Sequence, residues 1–384
     1  MVEAGAAKQT KERTAMKCSR GICTTRRSDS RTIWIIVAVG LVFTLMYVFC
    51  GPGRDNAAME EVMYGYRIES LGEGQELVVL IRGGDSPAEA RVAIWAGANL
   101  AGFSYRGVDL IRSPDTVKKF DGQRLGMPIL YPTPCRVPDG YFTFGEREFN
   151  FPINRDDTHI HGLVRDIPWA YDTPVASAGE VGFTCRMEFA PGSPIYGYFP
   201  IEHTLELTYR LDGEGLEVSY RLINRDSEPL PYGFGLHPYW NIPGSRENVY
   251  LTVPNDSTMD LGVGGLIPGG GLAAVEGTHL DLRTATPLSA VEMDDVFFPA
   301  DPAAPATIEW RDWGVKLTLT HSPEFTHLIV YAPPGEDFVC VENMTASPDA
   351  HNLYAKGHER LSGLKVIPPG GEAGGWVKYV IGNQ

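Results

Sequence analysis

The sequence predicts an all-β fold, a large antiparallel β-sandwich preceded by one N-terminal transmembrane helix. Three observations carry that expectation. Glycine (43) and proline (29) are abundant among the 384 residues, which favours many short strands joined by turns. Beyond about residue 60 the apolar residues recur with a period of two far more often than 3.6. A single long uncharged run, residues 32–51, stands apart from everything that follows. The hydrophobic content of 43% is enough for a substantial core and excludes wholesale disorder. The net charge of −15 is the wrong sign for a surface that neutralises phosphates, so no nucleic-acid partner is expected.

The N-terminal 31 residues run against that acidity. They hold Lys8, Lys11, Arg13, Lys17, Arg20, Arg26, Arg27 and Arg31 against Glu3, Glu12 and Asp29. Residues 32–51 then carry no charged side chain and would cross about 30 Å as a helix, the thickness of a bilayer core. A buried core helix would carry a polar stripe, and this run has none. The positive-inside rule reads residues 1–31 as a basic cytoplasmic tail, 32–51 as a single-pass membrane anchor and 52–59 as a linker. Residues 60–384 then form one domain outside the cytoplasm, periplasmic or extracellular. A cleaved signal peptide needs small residues before its cut site, and Tyr47-Val48-Phe49-Cys50-Gly51-Pro52 fits that poorly. Six cysteines in a chain this long do not make a disulfide framework; Cys135, Cys185 and Cys340 read as small buried hydrophobes.

Strand pairings can be placed within residues 60–384. In the run from His203, the residues Leu205, Leu207, Tyr209 and Leu211 share one face; after the turn at 212–215 a second strand begins at Leu216. This is a β-hairpin. Tyr141 to Phe144, Gly145-Glu146 and Arg147 to Phe151 repeat the plan, with glycine leading a two-residue loop as a type II′ turn needs. Thr307 to Trp310 and Val315 to Leu319 form a third pair. Such spacing implies roughly fifteen to twenty-five strands in packed antiparallel sheets.

Four segments set ionisable side chains in apolar or Gly/Pro-framed surroundings. They are Tyr131 to Arg136, His159 to Arg165, Gly233 to Trp240, and Phe338 to Thr345. Glu342 follows the apolar run Phe338-Val-Cys-Val341, so it is either a solvated strand end or a desolvated carboxylate able to accept and return protons. His237 sits between Gly235 and Pro238, beside Tyr239 and Trp240. It is either a packed core ring or a proton carrier near neutral pH. An acid, a base, aromatic rings and no metal-ligand spacing suit carbohydrate chemistry; neither a metal nor a cofactor is expected.

Taken in order, the segments resemble the aldose 1-epimerases, the galactose mutarotase-like family. The matching stretches are Pro128-Ile-Leu-Tyr-Pro-Thr-Pro-Cys-Arg136, Asp139-Gly-Tyr-Phe-Thr-Phe144, Phe151-Pro-Ile-Asn154, His161-Gly-Leu-Val-Arg-Asp166, Gly233 to Tyr239, Asp294-Asp-Val-Phe297, Tyr331-Ala-Pro-Pro334 and Cys340-Val-Glu342. The resemblance implies a β-supersandwich and cofactor-free interconversion of the α and β anomers of a free aldose. It implies Glu342 as base on the C1 hydroxyl and His237 as acid on the ring oxygen, acting from opposite sides of the anomeric centre. Arg136, His161 and Asp294 match positions that bind sugar hydroxyls. Two residues depart from the family pattern. Cys135 stands where the family usually has Asn, and Asp295 where His usually follows the substrate aspartate.

Rival readings are a non-catalytic surface carbohydrate-binding or sensing module, a hexose 6-phosphate epimerase, which needs a cluster of Lys/Arg around the pocket, and a glycosidase using Glu342 and Asp294. Asn255-Asp-Ser257 and Asn343-Met-Thr345 fit the N-glycosylation sequon. A glycan on Asn343 would obstruct a site at Glu342, so this sequon is expected to go unused.

Overall fold

Glu180–Phe189, His203–Asp212, Gly215–Asn224 and Glu372–Asn383 form the spine of the largest sheet. The period of two settles which side of it faces inward. Leu205, Leu207, Tyr209 and Leu211 are fully buried, and their cross-strand partners are of the same kind: Leu207 lies between Cys185 and Tyr220, and Tyr209 between Phe183 and Val218. The outer face carries the intervening polar residues, joined across strands by Arg186–Glu206 (2.9 Å) and Arg210–Glu217 (2.8 Å). A computed structural model describes residues 63–383 apart from 73, 114–123 and 262–266. The basic tail, the proposed anchor 32–51, the linker 52–59 and residues 60–62 of the expected domain lie outside the described residues. Within them, no helix is long and apolar enough to cross a membrane.

The ten-stranded sheet faces an eight-stranded one, ordered Pro268–Ala274, Ser257–Leu261, Met293–Phe297, His327–Ala332, Phe338–Met344, Gly235–Leu236 and Ile129–Leu130, with Tyr239–Asn241 also paired to Phe338–Met344. One apolar cluster joins the two, holding Leu207 and Tyr209 together with Val330, Val339 and Val341. A further five-stranded sheet runs from Tyr64 to Asp109. All three expected hairpins form. Leu211 pairs Leu216, Phe144 pairs Arg147, and Trp310 pairs Val315. Gly145 has φ +61°, the positive angle that the first position of a II′ loop requires. The described residues contain 29 strands, more than expected. The surplus consists of two- and three-residue pairings such as Gly235–Leu236 and Arg136–Pro138, too short to show a period in sequence. Cys135, Cys185 and Cys340 are buried free thiols, as the sequence suggested.

Both sequon asparagines are buried, Asn343 at 1% and Asn255 at 7% exposure, so the folded domain offers neither to a glycosylating enzyme. Leu207 tests the packing directly. Leu207→Ala should lower unfolding free energy by about 2–5 kcal/mol through lost burial and a residual cavity, measured by denaturant titration.

Candidate active site

The strand Phe338–Met344 is buried along its whole length. Alternation splits it into two faces. Val339 and Val341 enter the main core, leaving Cys340 and Glu342 on the opposite side. The pairings Gly235↔Met344 and Tyr239↔Cys340 share one register, and that register sets position 237 opposite position 342. Pro238, which has no N–H to donate, interrupts the ladder between Gly235–Leu236 and Tyr239–Asn241. His237 occupies that break, and its Nε2 lies 3.3 Å from Glu342 Oε1. On the other flank Ile329 pairs Glu342 and Tyr331 pairs Cys340, while Asp294 pairs Tyr331. Paired residues share a face, so Glu342, Ile329, Tyr331 and Asp294 form a floor, with His237 and Tyr239 beside them.

That floor closes a cavity of about 530 Å³. The wall is built from two of the motif segments stitched together. Ile160 pairs Arg136, the His161 N–H donates to the Cys135 carbonyl (2.9 Å), and Gly162 bridges Tyr131. Asn154 clamps the loop from both sides, accepting from the Ile160 N–H (2.7 Å) and donating to its carbonyl (3.1 Å). Cys135 (φ +60°) and His161 (φ +69°) both adopt the left-handed backbone that non-glycine residues rarely take. At Gly162 (φ +69°) a Cβ would meet the Tyr131 carbonyl oxygen at 2.1 Å, so only glycine fits. Strain of this kind is held by surrounding packing and concentrates at functional sites.

The five residues singled out in the sequence, Glu342, His237, Arg136, His161 and Asp294, all line this one cavity. His161 meets His237 edge-on at 5.1 Å between ring centroids, and Tyr239 stacks on His237 at 4.6 Å. Cys135 also lines the cavity, whereas Asp295 does not, which separates the two adjacent aspartates. One expectation is corrected. The acid and base do not stand on opposite sides of an intervening sugar, because 3.3 Å leaves no room for a ring between them. O1 and O5 share the carbon C1, so two neighbouring groups can face both from one side. Sequence reasoning also missed Arg112, Arg124 and Arg155, which line the cavity from loops with no motif, and His159, given no role, whose ring nitrogens lie 2.7 and 3.1 Å from the Pro152 and Gly162 carbonyls.

Burial sets the protonation states. Loss of solvent pushes the Glu342 carboxyl well above the usual range, and the charge of Asp294 adds to it. The same desolvation drags the His237 imidazole down to about 3 and His161 well below its ordinary value. Burial thus favours a neutral carboxyl against a neutral imidazole, with one proton to share between them. Ligand atoms of His237, Cys340 and Glu342 lie within 4.8 Å of one another, a nitrogen, sulfur and oxygen set of the kind that suits zinc. A thiol must ionise to ligate, and burial together with Glu342 holds Cys340 strongly toward its neutral form.

The family model for aldose 1-epimerase matches residues 87–379. The chain belongs to the aldose 1-epimerase family. A galactose mutarotase from Mus musculus is 33% identical over 152 residues, which are 38% of this chain and 42% of that protein, so the match spans less than half of the relative. The uncharacterized protein YihR of Escherichia coli is 26% identical over 263 residues, 67% of this chain and 82% of its own length. In fold, the chain is similar to a galactose mutarotase-like protein from Clostridium acetobutylicum (TM-score 0.75, 22% identity, 84% of this chain and 99% of that one). It is likewise similar to the galactose 1-epimerase of Lactobacillus acidophilus (TM-score 0.67, 18% identity, 83% and 98%).

Asp294 supplies a pH-linked test. Its carboxyl is raised from 3.8 to about 6, chiefly by desolvation, with Arg136 opposing the shift. A folded-state pKa above the unfolded one favours the fold at low pH, and that contribution is lost as pH rises through the folded value. Asp294→Asn should therefore raise the unfolding midpoint at pH 7.5, and the advantage should fade as pH drops and vanish only well below the unfolded value of 3.8, at about pH 3, in thermal melts at the two pH values.

Proposed function

We propose that this family member is a mutarotase, interconverting the α and β anomers of a free aldose by acid/base ring opening and closure with Glu342 and His237. The single observation that supports the reading is the buried 3.3 Å contact between these two side chains on the floor of a sugar-sized cavity. A binding module needs no such pair, since recognising hydroxyls requires no proton exchange at C1.

The proton count follows from the site. Moving the one shared proton from Glu342 to His237 converts the neutral pair into carboxylate and imidazolium without changing its net charge. Bound sugar hydroxyls supply the polar contacts that make this ionised arrangement accessible. The Glu342 carboxylate then takes the proton of the C1 hydroxyl while the His237 imidazolium gives its proton to O5. The C1–O5 bond breaks and C1 becomes an aldehyde carbon. The pair is now neutral again. After rotation about C1–C2, O5 attacks the other face of the carbonyl, its proton returns to His237, and Glu342 protonates O1. Every proton lent is recovered, so no cofactor enters the balance. Arg136, His161 and Asp294 hold the hydroxyls that fix the ring over the pair. Positioned acid–base catalysis of this kind is worth about 10²–10⁴-fold.

The run 32–51 is proposed as the anchor that holds the domain at the outer face of a membrane, on the sequence argument alone. The catalytic reading is tested by polarimetry on freshly dissolved α-aldoses. Glu342→Gln and His237→Asn should each lower kcat at least about a hundredfold with KM little changed, since each removes a group that acts in the transition state. Arg136→Ala should raise KM as well. Unaltered turnover in Glu342→Gln would rule the mechanism out.

A further inference from the structure

The cavity is lined by five arginines, in a chain whose net charge is −15. They divide by partner. Arg124 pairs with Glu336 (2.9 Å) on the cavity lining and meets Tyr331, while Arg112 pairs with the mostly exposed Asp337 (3.2 Å) and lies over Phe338. Arg136, Arg155 and Arg165 belong to the wall that carries His161, and they are used differently. Arg155 and Arg165 each pair with the aspartate next in sequence, with closest approaches at Nε of 3.7 Å to Asp156 and 3.1 Å to Asp166; those carboxylates are mostly exposed, and so is Arg155 itself. Arg136 makes no ion pair among the described residues, and its buried Nε has no hydrogen-bond partner. Among the described residues, the one side-chain hydrogen bond from these three arginines is Arg165 Nε to Asp166.

The remaining acids cancel only part of this wall. Asp294 interacts in charge with Arg136 and, titrating at about 6, is mostly ionised at neutral pH, so it offsets one of these guanidinium groups; burial favours the uncharged form of Glu342. A neutral hexose, one of whose hydroxyls Arg136 holds, does not call for two more such groups. Its hydroxyls both donate and accept, whereas guanidinium only donates, and neighbouring guanidinium groups repel one another. An anion accepts from several at once, in two-pronged bonds stronger than those to a hydroxyl.

From this wall we infer that the sugar taken by the pocket is an anionic aldose, one bearing a carboxylate or phosphate away from C1, with Arg155 and Arg165 as receptors of the anionic group. The inference rests on the mutarotase reading for the reaction, but not for the binding. The test compares D-glucose and D-galactose with D-glucuronate, D-galacturonate and D-glucose 6-phosphate on the full-length protein. Anomer exchange is followed by NMR above each sugar's uncatalysed rate, and binding by calorimetry on the Glu342→Gln variant. At low salt an anionic sugar should show kcat/KM at least about tenfold above its neutral counterpart. That ratio should shrink as sodium chloride is raised, and it should shrink in an Arg155→Ala/Arg165→Ala double variant. A uronate preference identifies a carboxylate as the group read, and a 6-phosphate preference identifies a phosphate. Equal or better use of neutral sugars, or a preference indifferent to salt and to the double variant, overturns the inference. Tighter binding of the anionic sugars without acceleration of any sugar would sink the mutarotase reading and leave this one standing.

Discussion

The contact between Glu342 and His237 depends on a cost that solution chemistry does not impose. In water a carboxyl and an imidazole would sit at neutral pH as carboxylate and partly charged ring. Buried to 2% and 5% exposure, they are driven toward the uncharged arrangement. Desolvation of both partners is what makes one proton sufficient for the pair. It also keeps the ionised arrangement close enough in energy to be reached once polar hydroxyls enter. The walls, the strained loop and the sheet register have their roles through that contact.

The register explains how two residues 105 positions apart meet so closely. Central strands of an antiparallel sheet fix their neighbours to within one residue, because a slip would turn Val339 and Val341 out of the core. Pro238 then frees the backbone at position 237 without shifting the pairing on either side. The opposing wall is held by less regular means, with left-handed residues at Cys135 and His161, a glycine at 162 that tolerates no Cβ, and the paired hydrogen bonds of Asn154. A carboxylate such as Asp294, kept partly desolvated at some loss of stability, marks the same division of labour.

Much of this was legible in the chain. Alternation at Leu205, Leu207, Tyr209 and Leu211 reports a buried face directly, and glycine at 145 reports its turn. Glu342 and His237 stood out because charged groups are rare inside apolar runs. Resemblance alone singles out Asp294 over its neighbour Asp295; the residues gave no reason, because the choice depends on strand phase relative to Tyr331, which only the pairing reveals. Arg112, Arg124 and Arg155 escaped notice because long side chains on loops reach a cavity from positions with no periodicity. The acid and base were expected to flank the anomeric carbon. Their adjacency is a consequence of cross-strand spacing that the sequence does not display.

The protonation state of Glu342 in the sugar-free protein tests the central claim most directly. Infrared difference spectra between the native protein and Glu342→Gln, recorded across pH, isolate the stretch of that one carboxyl. The account predicts that the protonated-acid band persists to a pH well above the ordinary glutamate range. A carboxylate spectrum at neutral pH, with an acid band emerging only near the ordinary glutamate range, would contradict it.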